Sequence, residues 1–599
     1  MKHLGLLLSC ATLATLAYPL SAQPADPASA PAATPELSLD ASPNATVNLV
    51  RLLVKQGLIP RDAAVDLIRQ AESEARQARA QTSAVTAAAE QIKQAAEAEI
   101  QNNDSDVRVT YVPEHIRQEI ATEVRNEISA KAQAENWGRP RNDETSWVTR
   151  LRPTADLRAR YNSTTFDKAN DNTGEFVDFN SINTSGAINE ATFGTTPYPG
   201  INADQNRTPA NLRLRAGFEA DLKEGFTLGM RLATGSGSSP VSTNQTIGSP
   251  GNFSKYSLWL DQAFLLWETG DDLLAYRLRV GRMPNPFFNT ELTWDQDIQF
   301  DGISGSVAGE LHPKLRYFAT GGIFPIYSTS FNFPSFNNTG SGAAYSNFPS
   351  DDRYLTAAQI GLEADPFRKI HVKGSLAYYL FQDIEGKPST PYVPLSARDA
   401  SDTDGRRPGF AQKGNTYMRL RDIKPTVANG AGTTNLWQFY GLASEYTPLV
   451  GTLQIDFNHF ESSQITFYSE AVINTAYDVT RYDKHSVNTN FDPLFFGGAS
   501  EGSSLGYLIG VSAGDAVLAQ RWDWRAGLDY RLLGSDAIVD GFADSDFGGG
   551  GTNLQGVTLY GRLALGARVF LGARWLSASE IEGASFRSDT LQIDLNSKF

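Results

Sequence analysis

Arginine recurs at alternate positions in several stretches of this sequence: Arg150, Arg152, Arg158 and Arg160; Arg213 and Arg215; Arg231; and Arg277 and Arg279. Alternate side chains of an extended strand share one face, so each set would present its guanidiniums together. On neighbouring strands they would form a basic wall, with Asp156, Glu219 and Asp221 as partial counterions. Lining a water-filled enclosure with low-dielectric sides, such a wall focuses a positive field and favours anions. The same residues would serve equally well paired with carboxylates, stiffening the wall or tethering an infolded loop.

Two other clusters carry possible chemistry. Gly510-Val511-Ser512-Ala513-Gly514 matches the nucleophile-elbow pattern, which needs a strand–turn–helix context and a downstream histidine. Here the flanking residues read as strand, and the last histidine is His485, so a strand ending in a turn is expected. Asp540, Asp544 and Asp546 precede four glycines, Gly548 to Gly551. The spacing is not that of a calcium loop, and a solvated turn is expected there. The only cysteine is Cys10, and the six histidines lack metal-ligand spacing. No catalytic residue, metal or cofactor is expected.

The elements that must position the arginines have a period of two. Leu212, Leu214, Ala216, Phe218 and Ala220 alternate with Arg213, Arg215, Gly217, Glu219 and Asp221. Trp524, Ala526, Leu528, Tyr530 and Leu532 alternate with Arg525, Gly527, Asp529 and Arg531. Leu591, Ile593 and Leu595 do so with Gln592, Asp594 and Asn596. Each stretch has one apolar and one charged face, as in a soluble sandwich or a membrane barrel. Long strands, aromatics such as Tyr161, Tyr256, Trp267 and Trp575 near their expected ends, and tight turns alternating with long polar connections favour the barrel. The long connections are expected at Asn162–Ala210, Phe331–Arg353 and Ile384–Thr434; any that folds inward must line or fill the lumen. Sixteen or seventeen segments can be counted from Trp147 onward, with the doubtful one between Gly451 and Tyr477. Closure requires an even number. The expectation is therefore an all-β transmembrane antiparallel barrel of about 16 strands (range 14–18) over 147–599.

The N-terminal quarter reads differently. Lys2 and His3, an apolar stretch from Leu4 to Leu16 and Leu20-Ser21-Ala22 form a secretory signal peptide, 1–22. A Pro/Ala-rich linker follows (23–45). From 46 to 137 the period is helical, with Ala71, Ala78, Val85 and Ile92 at heptad spacing. This segment is expected to be a helical, coiled-coil-like periplasmic spacer or assembly element.

The whole chain has 599 residues, with 52 Lys+Arg against 67 Asp+Glu and a formal charge of −15. That balance disfavours generic nucleic-acid binding. Beyond the N-terminus no apolar run reaches the ~18–20 residues of a membrane helix.

Local motifs resemble the putative porin family of Gram-negative outer membranes. They are Arg108-Val109-Thr110-Tyr111-Val112-Pro113-Glu114, Glu135-Asn136-Trp137, Leu157-Arg158-Ala159-Arg160-Tyr161 and Gly281-Arg282-Met283-Pro284-Asn285-Pro286-Phe287. Trp294-Asp295-Gln296-Asp297 with Asp301-Gly302, and Asp544-Ser545-Asp546-Phe547-Gly548, continue the series. The resemblance implies an outer-membrane channel preceded by a periplasmic helical segment, and it brings no catalytic residues. Terminal Phe599 resembles the insertion signal read by the barrel-assembly machinery. Outer-membrane lipid and lipopolysaccharide would be its surroundings, and a homotrimer would follow by analogy. The functional expectation is passive diffusion of small polar solutes or ions, with anions favoured if the arginines are unpaired. The alternative is a structural or adhesive barrel with a periplasmic tether and little conductance.

Overall fold

The computed structural model describes residues 150–599 except 171–175, 193–198, 272, 330–349, 461–462, 483–484 and 489–501. The expected signal peptide, linker and helical segment lie outside the described residues.

Sixteen long strands account for most of the described chain: β1 Leu151–Phe166, β2 Ala210–Lys223, β3 Phe226–Ala233, β4 Trp259–Gly270, β5 Leu274–Pro284, β6 Gln299–His312, β7 Leu315–Tyr327 and β8 Arg353–Phe367. They continue with β9 Ile370–Gln382, β10 Pro448–Phe457, β11 Gln464–Asn474, β12 Leu505–Gly514, β13 Trp524–Leu533, β14 Leu554–Gly566, β15 Val569–Glu580 and β16 Arg587–Lys598. Each pairs antiparallel with the next, and β16 returns to β1 in the register Asp156↔Lys598 through Phe166↔Ser588. The sheet therefore closes, and every ladder has a partner, as membrane-spanning strands require. The doubtful stretch between Gly451 and Tyr477 contains two barrel strands, β10 and β11. The only other segment in this sheet is the two-residue Gln245–Thr246, which pairs with β2.

The period-two pattern becomes two surfaces. Along β12, Leu505, Tyr507, Ile509 and Val511 point outward and are exposed, while Gly506, Leu508, Gly510 and Ser512 point inward and are buried. Ile360 remains 64% exposed and Leu595 49%. An apolar belt of that extent belongs in lipid, where each side chain leaves water at roughly 25 cal/mol per Å². Trp267 sits near a strand end as expected, Trp575 lies mid-strand in β15, and Tyr256 lies in a loop.

One end of the barrel carries tight turns at 224–225, 313–314, 368–369 and 567–568. At the first, Lys223, Glu224 and Gly225 all have positive φ, and a Cβ on Gly225 would overlap the Glu268 carbonyl, so glycine is required there. The other end carries eight connections: L1 (167–209), L2 (234–258), L3 (285–298), L4 (328–352), L5 (383–447), L6 (475–504), L7 (534–553) and L8 (581–586). L5 is longer than the expected Ile384–Thr434. It contains Tyr417–Arg419, which pairs with Tyr440–Leu442 of the same loop and with Ser486–Val487 of L6. Helix α1 (Phe179–Ser185) of L1 is capped by Asp178, whose side chain accepts from the Ser181 N–H.

Candidate functional site

L3 begins where the wall can no longer hold the chain. Pro284 and Pro286 lack the N–H that a ladder needs, so the backbone leaves the sheet at the end of β5. The loop turns inward, and Phe287, Leu292 and Trp294 are almost fully buried. Trp294 packs edge-on against Phe300 of β6 at 4.9 Å and Tyr379 of β9 at 5.3 Å, and Phe287 meets Tyr379 at 5.3 Å.

Polar anchors then carry L3 across the barrel. Gln359 of β8 accepts from the Phe288 N–H and donates to its carbonyl, both at 2.8 Å. Glu470 of β11 accepts from the Thr290 N–H at 2.6 Å, the Thr293 N–H at 3.1 Å and the Thr293 hydroxyl. Glu291 pairs with Arg574 of β15 at 2.8 Å and lies 3.6 Å from Arg531 of β13. Asp297 pairs with Arg215 and Arg213 of β2 at 3.2 and 3.5 Å and accepts from Thr243 of L2. A single loop therefore contacts strands β2, β8, β11, β13 and β15, on separate sides of the lumen.

L7 folds in above it. Asp544 pairs with Arg531 at 2.7 Å, and Asp546 with Arg160 at 2.8 Å and Arg574 at 3.5 Å. The two loops are sewn together: the Ser545 N–H donates to Asp295 at 2.9 Å, and the Asp295 N–H donates to the Phe542 carbonyl at 3.0 Å. Burial pushes the Glu291 carboxyl up, but Arg574 and Arg531 overcome it and hold it below the usual glutamate range. Asp546 behaves in the same way between Arg160 and Arg574. Asp295 goes in the opposite direction, raised by burial and then by Asp544 and Asp297. Asp540, Asp544 and Asp546 are thus not in a solvated turn. Asp540 and Asp544 are buried and Asp546 is half-buried because their loop folds inward, where Arg531 meets Asp544, Arg160 and Arg574 meet Asp546, and the Tyr417 hydroxyl donates to Asp540.

The sequence-selected arginines fall into three groups. Arg160, only 4% exposed, bonds Asp594 of β16 at 2.7 and 2.9 Å as well as Asp546. Arg213 and Arg215 share Asp156 and Asp297. Arg231 pairs with Asp261 at 2.6 Å, and Arg277 with Glu268 at 2.5 Å. Glu219 and Asp221, expected as counterions, bond none of these five. Arg158 faces Arg213 in register and donates to Asn244, while its Nε has no partner. Arg279 likewise keeps an unpartnered Nε, and Arg152 is exposed opposite Glu219. Arg150 immediately precedes β1, where its carbonyl accepts from the Asp221 N–H.

Ser512 lies within β12, and its hydroxyl accepts from Arg525, so the elbow pattern is an ordinary strand segment. Among the described residues no group of three or more His, Cys, Asp or Glu is arranged to hold a metal ion. The composition pattern missed Glu470, Arg531 and Arg574. Arg531 and Arg574 occupy the polar phase of their strands, which was the signal available, whereas nothing local marks Glu470 as an anchor.

A closed antiparallel barrel with an apolar belt, short turns at one end and loops folded into its lumen at the other defines a β-barrel channel. The chain belongs to the putative porin family, whose pattern matches residues 43–599, and its place is the bacterial outer membrane. Membership of that family points to a channel rather than an enzyme. Phe599 immediately follows β16, its N–H donating to the Ala155 carbonyl and its carbonyl accepting from the Ala155 N–H. No curated protein matches the sequence. Among solved structures, the outer membrane channel DcaP of Acinetobacter baumannii is similar at 10% identity over 75% of this chain and 97% of its own, with a TM-score of 0.33. Pseudomonas putida OprB at high pH is similar at 10% identity over 76% and 96%, with a TM-score of 0.37. Salmonella typhi OmpF in complex with daunomycin is similar at 7% identity over 75% and 97%, with a TM-score of 0.33. Likeness at that level adds nothing to the family match and the barrel's own strand pairing.

Proposed function

We propose that this channel passes small polar solutes and ions passively, through a lumen narrowed by L3 and L7, with a modest preference for anions. The observation that carries this reading is L3 itself, which spans the lumen and sets Glu291 and Asp297 against Arg574, Arg213 and Arg215. The paired arginines act mainly as posts for the loops. Arg158 and Arg279, which lack carboxylate partners among the described residues, supply the anion preference. Cleavage of the 1–22 signal peptide, assembly through Phe599, contact with lipopolysaccharide and a homotrimeric state belong to the same reading.

The test is single-channel conductance of the signal-free protein in a planar bilayer, with the reversal potential taken under a salt gradient. Stable open steps with an anion-favouring reversal support the proposal. Replacing Arg158 and Arg279 with glutamine should move the reversal potential toward neutrality; no movement would remove the anion preference. A folded, heat-modifiable barrel without conductance would leave the structural or adhesive alternative.

A further inference from the structure

Inward glycines let rings from the neighbouring strand lie down on the wall. Tyr468 of β11 stands opposite Gly510 of β12, and Tyr560 of β14 opposite Gly527 of β13; a Cβ on either glycine would run into the facing ring. The two side chains therefore reach toward each other across β12 and β13, and their hydroxyls meet at 3.3 Å. Together they cover three strand spacings, about 14 Å, with two rings end to end. Both are half-buried, one side against the sheet and the other toward the lumen. Other rings over inward glycines are covered. Phe264 over Gly229 and Phe324 over Gly322 are buried, and Phe318 over Gly361 has the Lys373 ammonium 4.8 Å from its centre.

The band adjoins the constriction on its short-turn side. Tyr468 is one inward position from Glu470, which anchors L3, and Tyr560 stands in register with Arg574, which holds Glu291 of L3. Charges border the band, but they are engaged elsewhere. Asp529 accepts from the Tyr468 hydroxyl at 3.3 Å and lies 3.8 Å from Arg531. Arg525 donates to Ser512 and Thr466, and Thr466 donates in turn to Asp456. Arg562 leans the other way, over Gly572 of β15, which Asp594 also borders. What remains free is a flat apolar surface with a polar edge. Tyr468 spends its proton on Asp529, so Tyr560 donates to Tyr468, and each phenol oxygen keeps a lone pair for a further donor. Among the described residues Arg525 Nη1 has no hydrogen-bond partner.

A solute matched to this surface has an uncharged, flat, apolar face and groups around its rim that both donate and accept. A pyranose ring has both, with C–H groups on its face and hydroxyls at its edge. A plain aromatic ring would cover the phenol oxygens and Arg525 Nη1 without matching them. We propose that Tyr468 and Tyr560, with Arg525 at their edge, form a subsite for a neutral disaccharide, one pyranose ring over each tyrosine. This assignment rests on the channel reading above and names a solute class for it.

The experiment uses the full signal-free protein in a planar bilayer, with maltose as probe, sorbitol as an acyclic polyol and nicotinamide as a neutral flat aromatic. Maltose should interrupt the chloride current in a concentration-dependent way, and more than sorbitol or nicotinamide at equal concentration. Tyr560→Leu should raise the half-blocking maltose concentration about tenfold, and Tyr560→Phe, which keeps the ring, should restore most of the block. Gly527→Ala, which moves the ring without removing it, should weaken the block as well. It takes the place of Tyr560→Leu if heat-modifiable gel mobility shows that variant unfolded. Block by sorbitol or nicotinamide equal to that by maltose, or maltose block untouched by Tyr560→Leu, would overturn the proposal. If the protein carries no current at all, the channel reading fails and the subsite is judged separately. Saturation-transfer NMR of maltose is then recorded with the barrel in a detergent that has no sugar headgroup. Transfer to the sugar C–H protons that is lost in Tyr560→Leu supports the subsite; no transfer in the wild type, or the same transfer in Tyr560→Leu, overturns it.

Discussion

L7 should be docked by a proton. Asp540 is 1% exposed, accepts from the Tyr417 hydroxyl of L5 at 2.8 Å, and leaves its second carboxylate oxygen without a partner. Asp536 of the same loop adds a repelling charge, itself held by Thr416, Tyr446, Tyr482 and Ser535. Burial, against the weaker pull of hydrogen bonds from Tyr417 and from the backbone at Gln412 and Gly541, pushes the Asp540 carboxyl from 3.8 up to about 7. The docked loop therefore prefers the protonated form. Its stability is complete below pH 3.8 and is lost as pH rises through about 7. Between those values docking should weaken by about 1.4 kcal/mol per pH unit, or about 3 kcal/mol from pH 5 to pH 8. The assay is hydrogen exchange of peptides covering 534–553, corrected for intrinsic rates, across that range. The opening free energy should fall with near-unit slope to about pH 7 and level off beyond it. Asp540→Asn, which keeps an acceptor for Tyr417 and carries no charge, should give a flat profile that meets the wild type at acid pH. A flat wild-type profile, or the same slope in Asp540→Asn, would refute the reasoning.

Glu470→Ala removes the acceptor of two backbone N–H groups at Thr290 and Thr293, leaving both buried donors unmatched at a cost of about 2–4 kcal/mol. L3 should swing from the β11 wall, giving larger and noisier single-channel steps; unchanged steps would show that Gln359 and the ion pairs suffice. Arg160→Leu strips a buried cation from between Asp594 and Asp546 and should cost about 3–5 kcal/mol, visible as a lower temperature of heat modification. Arg277→Ala is its control: that pair with Glu268 is 56% and 44% exposed, so the change should stay under about 1 kcal/mol. Gly527→Ala places a methyl 2.5 Å from the Tyr560 ring and should displace it, read as a change in near-ultraviolet circular dichroism with the barrel intact.

The wall was legible in the sequence because its information is local. A period of two assigns each side chain to lipid or lumen, so the inward phase of Arg160, Arg213 and Arg215 followed from their neighbours alone. Their partners were not legible. Arg160 meets Asp546 across 386 positions and Asp594 across 434. Glu219 and Asp221 were close in sequence and on the right face, yet the wall's charges are matched from other strands and from loops. The three aspartates before Gly548 read as a solvated turn for the same reason. Carboxylates beside glycines look solvent-seeking until a loop carries them to arginines on distant strands.

The composition of L3 also determines where water can run. Its apolar side chains, Phe287, Leu292 and Trp294, seal against Phe300, Phe324, Tyr379 and Phe381 on β6, β7 and β9, with almost no exposure. Its carboxylates, Glu291 and Asp297, point to arginines on β2, β13 and β15. Buried apolar contact offers water no hydrogen-bond partner, whereas the charged side offers many. The loop therefore seals one side of its own contact with apolar side chains and turns its charge toward β13, β15 and β2. Selectivity should accordingly respond to lumen charges such as Arg158 of β1 and Arg279 of β5 and be indifferent to the aromatic contacts of L3, where substitutions should change stability instead.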